Sequence, residues 1–300
     1  MAVVGLTQRW VAAHLPQRPA RAHKETFGRL LIVAGSLEYA GAAVLTGLGA
    51  IRCGVGLACL ATPEAVGTRL LGLVPELTAM LLPEEAPGLI APGGWRRLAT
   101  EAPAYEAVVI GPGLGRQPAT LRRARNFIGE LRHPTVVDAD GLVALAEVPR
   151  WWQPMRAQLV LTPHPGEFAR LLRLPDGGSV ADDDEARAEA VREAAGRWGQ
   201  VVVLKGAHTV IASPDGDLLR SDIATPALAT AGSGDVLAGA IGAFLAAGLT
   251  PFEAAGCGVA VHGAAGLLAE DRIGRAGVVA RDVANLLPTA IQQLADGKRG

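Results

Sequence analysis

The chain has 300 residues and a formal net charge of −1; 50% of its residues are hydrophobic and 19% are charged. That composition supports a sizeable core and excludes wholesale disorder. Near neutrality leaves no electrostatic footprint for nucleic acid or an anionic membrane, and neither is expected as a partner. Length alone fits one large α/β domain or two small ones, and the absence of a clear boundary or internal repeat favours a single domain over 1–300. Cys53, Cys59 and Cys257 form no CxxC pair and read as buried small hydrophobes in a reducing compartment. The N-terminus carries no basic region followed by an apolar run, so a cytoplasmic location is expected.

RLLIVAGS (29–36) predicts a strand ending in a turn, and positions 41–52 a helix after it. GLACLAT (56–62) predicts a second strand. The Pro- and Gly-rich stretch 83–94 reads as a surface connection. AVVIGPG (107–113), a helix over 118–131 and TVVDADG (135–141) follow, then LVLTPHPG (159–166), a helix over 182–198 and VVVLKG (201–206). Strands apolar on both faces that alternate with helices argue an α/β fold, with a mostly parallel central sheet flanked by helices on both faces. VVVLKGAHTVIASPDGDLLRSD departs from that alternation, because its Pro-Asp-Gly turn predicts an antiparallel hairpin. The uncharged run 236–252 approaches membrane-spanning length, but its three glycines and Pro251 point to a buried helix.

The residues with chemical potential fall at strand ends, and open α/β sheets bind ligands on that rim. ATAGSGDVLAG (229–239) turns a small-residue loop into an apolar helix with Asp235 in its first turn. Backbone N–H groups there form an anion site, favoured by the helix dipole. An acid at that point is either a simple cap or a base beside a transferring phosphoryl group. KGAHT (205–209) is no Walker A loop, since GxxxxGK[ST] occurs nowhere in the chain. GPGLG (111–115) fails the dinucleotide spacing because Arg116 stands where a third glycine is needed. TPHPGE (162–167) holds His164 stiffly between two prolines. Glu167 either favours its helix dipole or binds magnesium through water. Asp138 and Asp140 of VVDADG either cap turns or hold a metal, and the acidic run 182–185 is explained by a helix start.

The order of HKETFGRLLIVAGS, GAAVLTGLGAIRCGVGL, VVIGPGLG, LTPHPGEFARLL, VVLKGAHTVIASPDG and ATAGSGDVLAG resembles the ADP-dependent NAD(P)H-hydrate dehydratases of the ribokinase-like superfamily, over roughly 23–287. The resemblance implies a ribokinase-like fold with its hairpin near the nucleotide site. It also implies ADP-dependent conversion of hydrated NADH and NADPH (NADHX, NADPHX) to NAD(P)H, with AMP and phosphate released.

Carried onto this chain, the resemblance makes Asp235 the catalytic base and Ala231, Gly232, Ser233 and Gly234 the anion hole. Ala42, Gly113, His164 and Asp235 would contact the hydrated nicotinamide nucleotide. Lys205, Gly206, Ala207, His208, Thr209 and Gly234 would bind ADP or AMP. It further implies Mg2+ with unassigned ligands, a homotetramer, and a separate NAD(P)H-hydrate epimerase in the same pathway, since 300 residues leave no room for an epimerase domain. A small-molecule kinase of the same fold, acting on a hydroxymethylpyrimidine or hydroxyethylthiazole, is the alternative. Two departures stand out: Ile223-Ala224-Thr225 replaces a Gly-Asn turn, and Ala231 replaces a glycine. A positive φ at 231 would cost alanine about 1 kcal/mol or more.

Overall fold

The computed structural model describes residues 4–70, 72–175, 178 and 183–297. The first part of the chain runs β1 (Val4–Gly5), α1 (Gln8–His14), β2 (Arg29–Val33), α2 (Ala40–Arg52), β3 (Leu57–Pro63), α3 (Glu64–Leu70) and β4 (Thr78–Leu82). Next come β5 (Glu84–Ala86), β6 (Leu89–Ile90), α4 (Pro92–Glu101), β7 (Ala107–Ile110), α5 (Pro118–Glu130), β8 (Thr135–Val137), α6 (Asp140–Ala146) and β9 (Leu159–Leu161). The last part holds α7 (Pro165–Leu172), α8 (Asp184–Trp198), β10 (Val201–Leu204), β11 (Val210–Ala212), β12 (Leu218–Arg220), α9 (Ser233–Ala246), α10 (Pro251–Ile273) and α11 (Ala280–Ala295).

Ten strands form one sheet in the order β1-β12-β11-β10-β9-β8-β7-β2-β3-β4. Within this sheet, among the described residues, only β11 runs against its neighbours and the remaining pairs are parallel. The apolar runs explain the layering. In β2, Leu30 and Ile32 enter the core shared with α2, α9, α10 and α11, whereas Leu31 and Val33 enter the opposite core under α4 to α8. All four side chains are fully buried. A strand that is apolar at every position is stable only between two helical layers.

Strand order reverses between β2 and β7, the place where an open α/β sheet leaves a crevice. The Gly111 amide donates to the Val33 carbonyl at 3.2 Å, and the Gly35 amide donates to that of Pro112 at 2.9 Å. Two glycine-containing turns are thereby tied together over the crevice. The expected hairpin is present: β10 and β11 pair antiparallel around the 205–209 loop, and the Pro214-Asp215-Gly216 turn leads from β11 into β12.

Two expectations need correction. The 83–94 stretch contains the β5–β6 hairpin and the start of α4, with Gly94 and Trp95 buried. Strands of three and two residues are too short to show a period. As expected of a run that ends in a turn, TVVDADG is a strand as far as Val137, and Asp140 begins α6. The uncharged run is split between two helices, α9 and α10, around Gly248 and Pro251. Among the described residues one helix, α10, is long and apolar enough to cross a membrane, and 72% of that apolar window is buried inside the protein. Asp183 caps α8 by accepting from the Ala186 amide at 2.9 Å, which accounts for the acidic run; Asp182 lies outside the described residues.

Candidate active site

The N-terminus of α9 is built for an anion. Gly232 holds the left-handed φ of +87° that starts the helix, whereas Ala231 is not in the left-handed region. The strain expected for alanine at 231 therefore falls instead on a glycine, which adopts that backbone freely. The Ser233 amide donates to the Thr230 carbonyl at 3.2 Å, and the Val236 amide donates to that of Gly232 at 3.2 Å. Among the described residues, the amides of Ala231, Gly232, Gly234 and Asp235 have no acceptor, and no side chain caps the helix. Unpaired N–H groups at the positive end of a 14-residue helix favour phosphate or carboxylate.

Asp235 faces a crowd of like charge. Burial, followed by the fields of Asp138, Asp140 and Glu167, lifts its pKa from 3.8 to about 7, and Lys205 opposes the rise. Asp138 is buried at the end of β8, where its Oδ1 accepts from Lys205 Nζ and from Thr162 Oγ1, each at 2.8 Å. Lys205 Nζ also lies 3.9 Å from Glu167. Burial works against the lysine charge, but Asp138, Glu167 and Asp235 outweigh it and hold the Lys205 pKa above its ordinary value. A Cβ at Gly234 would stand 3.3 Å from Lys205 Nζ, so the bare glycine lets α9 close onto the end of β10. A carboxylate with a pKa near 7 is matched to proton transfer at neutral pH.

Lys205 of this cluster lines a cleft of about 700 Å³ with Gly206, Ala207, Thr209, His164, Ser233, Gly234, His262 and residues of 223–230, whereas Asp235, Asp138, Asp140 and Glu167 are not among its lining residues. The volume falls within the usual range for small-molecule sites. Ile223, Ala224 and Thr225, the residues that depart from the Gly-Asn turn, are among those lining it. Thr225 Oγ1 accepts from the Ala227 amide and donates to Glu270, which Arg275 holds at 2.9 Å.

The structure brings some expected site residues together and separates others. Ala42 and Gly113 meet: a Cβ at Gly113 would lie 2.7 Å from Tyr39 and 2.9 Å from the Ala42 methyl. His164 caps α7, its Nδ1 accepting from the Gly166 amide at 3.1 Å while Glu167 accepts from the His164 amide at 2.9 Å. Its half-exposed ring borders the cleft. Lys205, Gly206, Ala207 and Thr209 all reach the cleft, but the His208 ring pairs with Asp184 at 2.8 Å and does not line it. His208 carries a left-handed φ of +54°.

Five features escaped the sequence. The Asp138–Lys205 pair spans 67 positions, so no local pattern announces it. Asp140 accepts from the Gly115 amide and from Arg116 Nε, both at 2.9 Å, which gives the residue that breaks the glycine spacing a role in holding its own loop. Ala139 between the two acids is strained at φ +48°. Arg187 lies buried behind Gly206 and donates to the Lys205 carbonyl at 3.4 Å, and His262 of α10 reaches Ser233 Oγ at 3.0 Å. A lone histidine inside a 23-residue apolar helix was the available signal for the last.

A family model described as NAD(P)H-hydrate dehydratase matches residues 30–289. An ADP-dependent (S)-NAD(P)H-hydrate dehydratase of Bacillus subtilis is 35% identical over 284 residues, which is 94% of this chain and 95% of that protein. A bifunctional NAD(P)H-hydrate repair enzyme of Moorella thermoacetica is 40% identical over 97% of this chain, and the chain spans 54% of that longer protein. Among solved structures, the ADP/ATP-dependent NAD(P)H-hydrate dehydratase of Bacillus subtilis co-crystallized with ATP/Mg2+ superposes with a TM-score of 0.83 at 34% identity, covering 98% of this chain and 99% of that one.

Proposed function

The chain belongs to the NAD(P)H-hydrate dehydratase family, and on that footing we propose that it dehydrates hydrated NADH and NADPH at the expense of ADP, giving NAD(P)H, AMP and phosphate. The fold is ribokinase-like, as its solved relatives are. Hydroxide is a poor leaving group on the hydrated nicotinamide ring, and phosphorylation makes that oxygen a good one. Asp235 takes the proton from the ring hydroxyl as its oxygen attacks the terminal phosphorus of ADP, and AMP departs. Loss of phosphate from one ring carbon and a proton from its neighbour then restores the double bond.

The unpaired amides of Gly232, Gly234 and Asp235 steady the charge on the migrating phosphoryl group. Lys205, Gly206, Ala207 and Thr209 cradle the nucleotide, with the His208 ring held aside by Asp184, while Ala42, Gly113 and His164 receive the nicotinamide half. The observation that carries this reading is a carboxylate with its pKa raised to about 7 beside unpaired helix amides.

Among the described residues no three His, Cys, Asp or Glu side chains form a metal-holding group. The Lys205 ammonium already lies between Asp138 and Glu167, 2.8 Å from one and 3.9 Å from the other. The donor set therefore does not suit a resident metal. Mg2+ in this proposal arrives on the nucleotide phosphates, and no step above is routed through it. A cytoplasmic homotetramer served by a separate epimerase completes the proposal by family resemblance.

Incubation of the protein with hydrated NADH and ADP should yield NADH absorbance at 340 nm (the ordinary reduced-nicotinamide band, about that wavelength) together with AMP. A stable phosphorylated product without NADH would favour the kinase alternative, and no NADH with either ADP or ATP removes the dehydratase. Lys205→Met should raise the pH midpoint of kcat above that of the wild type, because a positive charge that lowers the Asp235 pKa is gone. A midpoint unchanged or moved downward in a kcat–pH profile contradicts the assignment of Asp235 as the base.

A further inference from the structure

Ser233 sits at the centre of the anion site but does not have its amide to offer, since that N–H already donates to the Thr230 carbonyl at 3.2 Å. Its remaining donor is the hydroxyl. Ser233 Oγ lies 3.0 Å from Nε2 of His262, and both residues line the cleft beside Gly234. Both are nearly sealed, at 5% and 7% exposure, so the contact is held in a low-dielectric setting. We propose that His262 is a positioning residue of the anion site, donating its Nε2–H to Ser233 Oγ so that the serine hydroxyl proton is left for an oxygen of the migrating phosphoryl group.

A hydroxyl has one proton and can accept as well as donate. Were Ser233 to give that proton to the imidazole, the cleft would face oxygen lone pairs already accompanied by Asp138, Asp140, Glu167 and Asp235. Phosphate oxygens only accept, so that arrangement repels the ligand. With the imidazole as donor, the hydroxyl joins the unpaired amides of Gly234 and Asp235 as a further donor to the anion. The ring also directs the hydroxyl without adding a charge. Burial pushes the His262 pKa down to about 4, with Lys205 assisting and the Ser233 backbone opposing, so the imidazole is neutral wherever the site works. A neutral ring protonated on Nε2 can donate only through that nitrogen, which is the atom Ser233 faces. Neither Ser233 nor His262 is altered by the cycle; the proton on Nε2 stays in place while the phosphoryl group passes.

This inference rests on phosphoryl transfer at Asp235, and its test includes an arm that does not. Ser233→Ala, His262→Leu, His262→Gln and the Ser233→Ala/His262→Leu double variant are compared with wild type by kcat on hydrated NADH and, separately, by ADP affinity in titration calorimetry. His262→Leu should lower kcat and weaken ADP binding about tenfold, as loss of a donor to a charged group does, and Ser233→Ala should match it. His262→Gln supplies an amide N–H in place of Nε2–H and should recover to within about threefold of wild type. In the Ser233→Ala background, His262→Leu should cost no more than about twofold, because the ring acts through the hydroxyl.

Three results overturn the proposal: a folded His262→Leu with wild-type kcat and ADP affinity, a His262→Gln as defective as His262→Leu, or an undiminished penalty in the Ser233→Ala background. Should His262→Leu fail to fold, Ser233→Ala and His262→Gln still decide it. A wild type that binds ADP yet makes no NADH would sink the dehydratase reading, while the affinity series still judges His262.

Discussion

Asp235→Asn is expected to lower turnover of hydrated NADH by about a thousandfold, the range over which a positioned general base works, with ADP affinity kept within about threefold. Asparagine has nearly the same shape and cannot accept the hydroxyl proton. The same change should make the protein more stable at alkaline pH. The Asp235 carboxyl titrates near 7 in the fold against 3.8 ordinarily, so between those values the folded chain keeps a proton that the unfolded chain has lost. Its contribution to stability is present below pH 3.8, declines as pH rises, and is a full penalty above about 7.

The neutral amide escapes that penalty. After allowance for partial contact with solvent, the variant should gain about 1–3 kcal/mol at pH 8, roughly 2–4 °C in Tm per kcal/mol, and nothing near pH 4. Thermal melts across that range and single-turnover assays check both halves. Wild-type kcat should likewise climb with pH to a plateau above about 7. A variant retaining a tenth or more of wild-type activity shows that another group is the base.

Gly239→Ala should destabilise the fold by about 3 kcal/mol or more, an overpacking penalty at the upper end because backbone opposes it. A Cβ at 239 would stand 2.0 Å from the Thr46 carbonyl oxygen and 2.9 Å from the Ala50 amide of α2. Gly49 has the reciprocal need, with its Cβ 2.3 Å from the Val236 carbonyl. Rotamer changes relieve neither clash, so α9 has to move off α2 by more than an ångström to reach ordinary contact. Because Asp235 lies one turn back on α9, the shift should also cost activity, on the order of 10²-fold for a 1 Å misplacement. Gly41→Ala on α2 meets nothing within 4 Å and should leave stability within about 0.5 kcal/mol of wild type. Equal denaturation midpoints for the two variants would show that α9 is not held by close backbone approach.

The glycines of the uncharged 236–252 run argued against a membrane span from sequence, but their purpose was invisible there. Gly239 and Gly242 are places where another element comes too close for a side chain: α2 for Gly239, and Val109 and Leu30 of the sheet for Gly242. Likewise, Ala231 raised an expectation of strain that vanished once the positive φ proved to belong to Gly232. The 182–198 segment read as a helix with acids at its start, and nothing in it announced that Arg187 would be buried behind the Lys205 carbonyl. Composition along a helix states how much of it is apolar, not which polar residue its packing will enclose.

By itself, the sequence determined the alternation of buried strands and helices, the antiparallel hairpin after Leu204, and the helix start that offers its amides beside Asp235. These are local properties: all-apolar runs, turn residues with fixed backbone preferences, and an acid in the first turn of a helix. Tertiary structure alone decided that Asp138 meets Lys205, that His262 meets Ser233, and that burial among like charges raises the pKa of Asp235. The first two contacts join groups 67 and 29 positions apart, brought within 3.0 Å. Electrostatic energy follows distance and dielectric, and neither is defined until the sheet has closed.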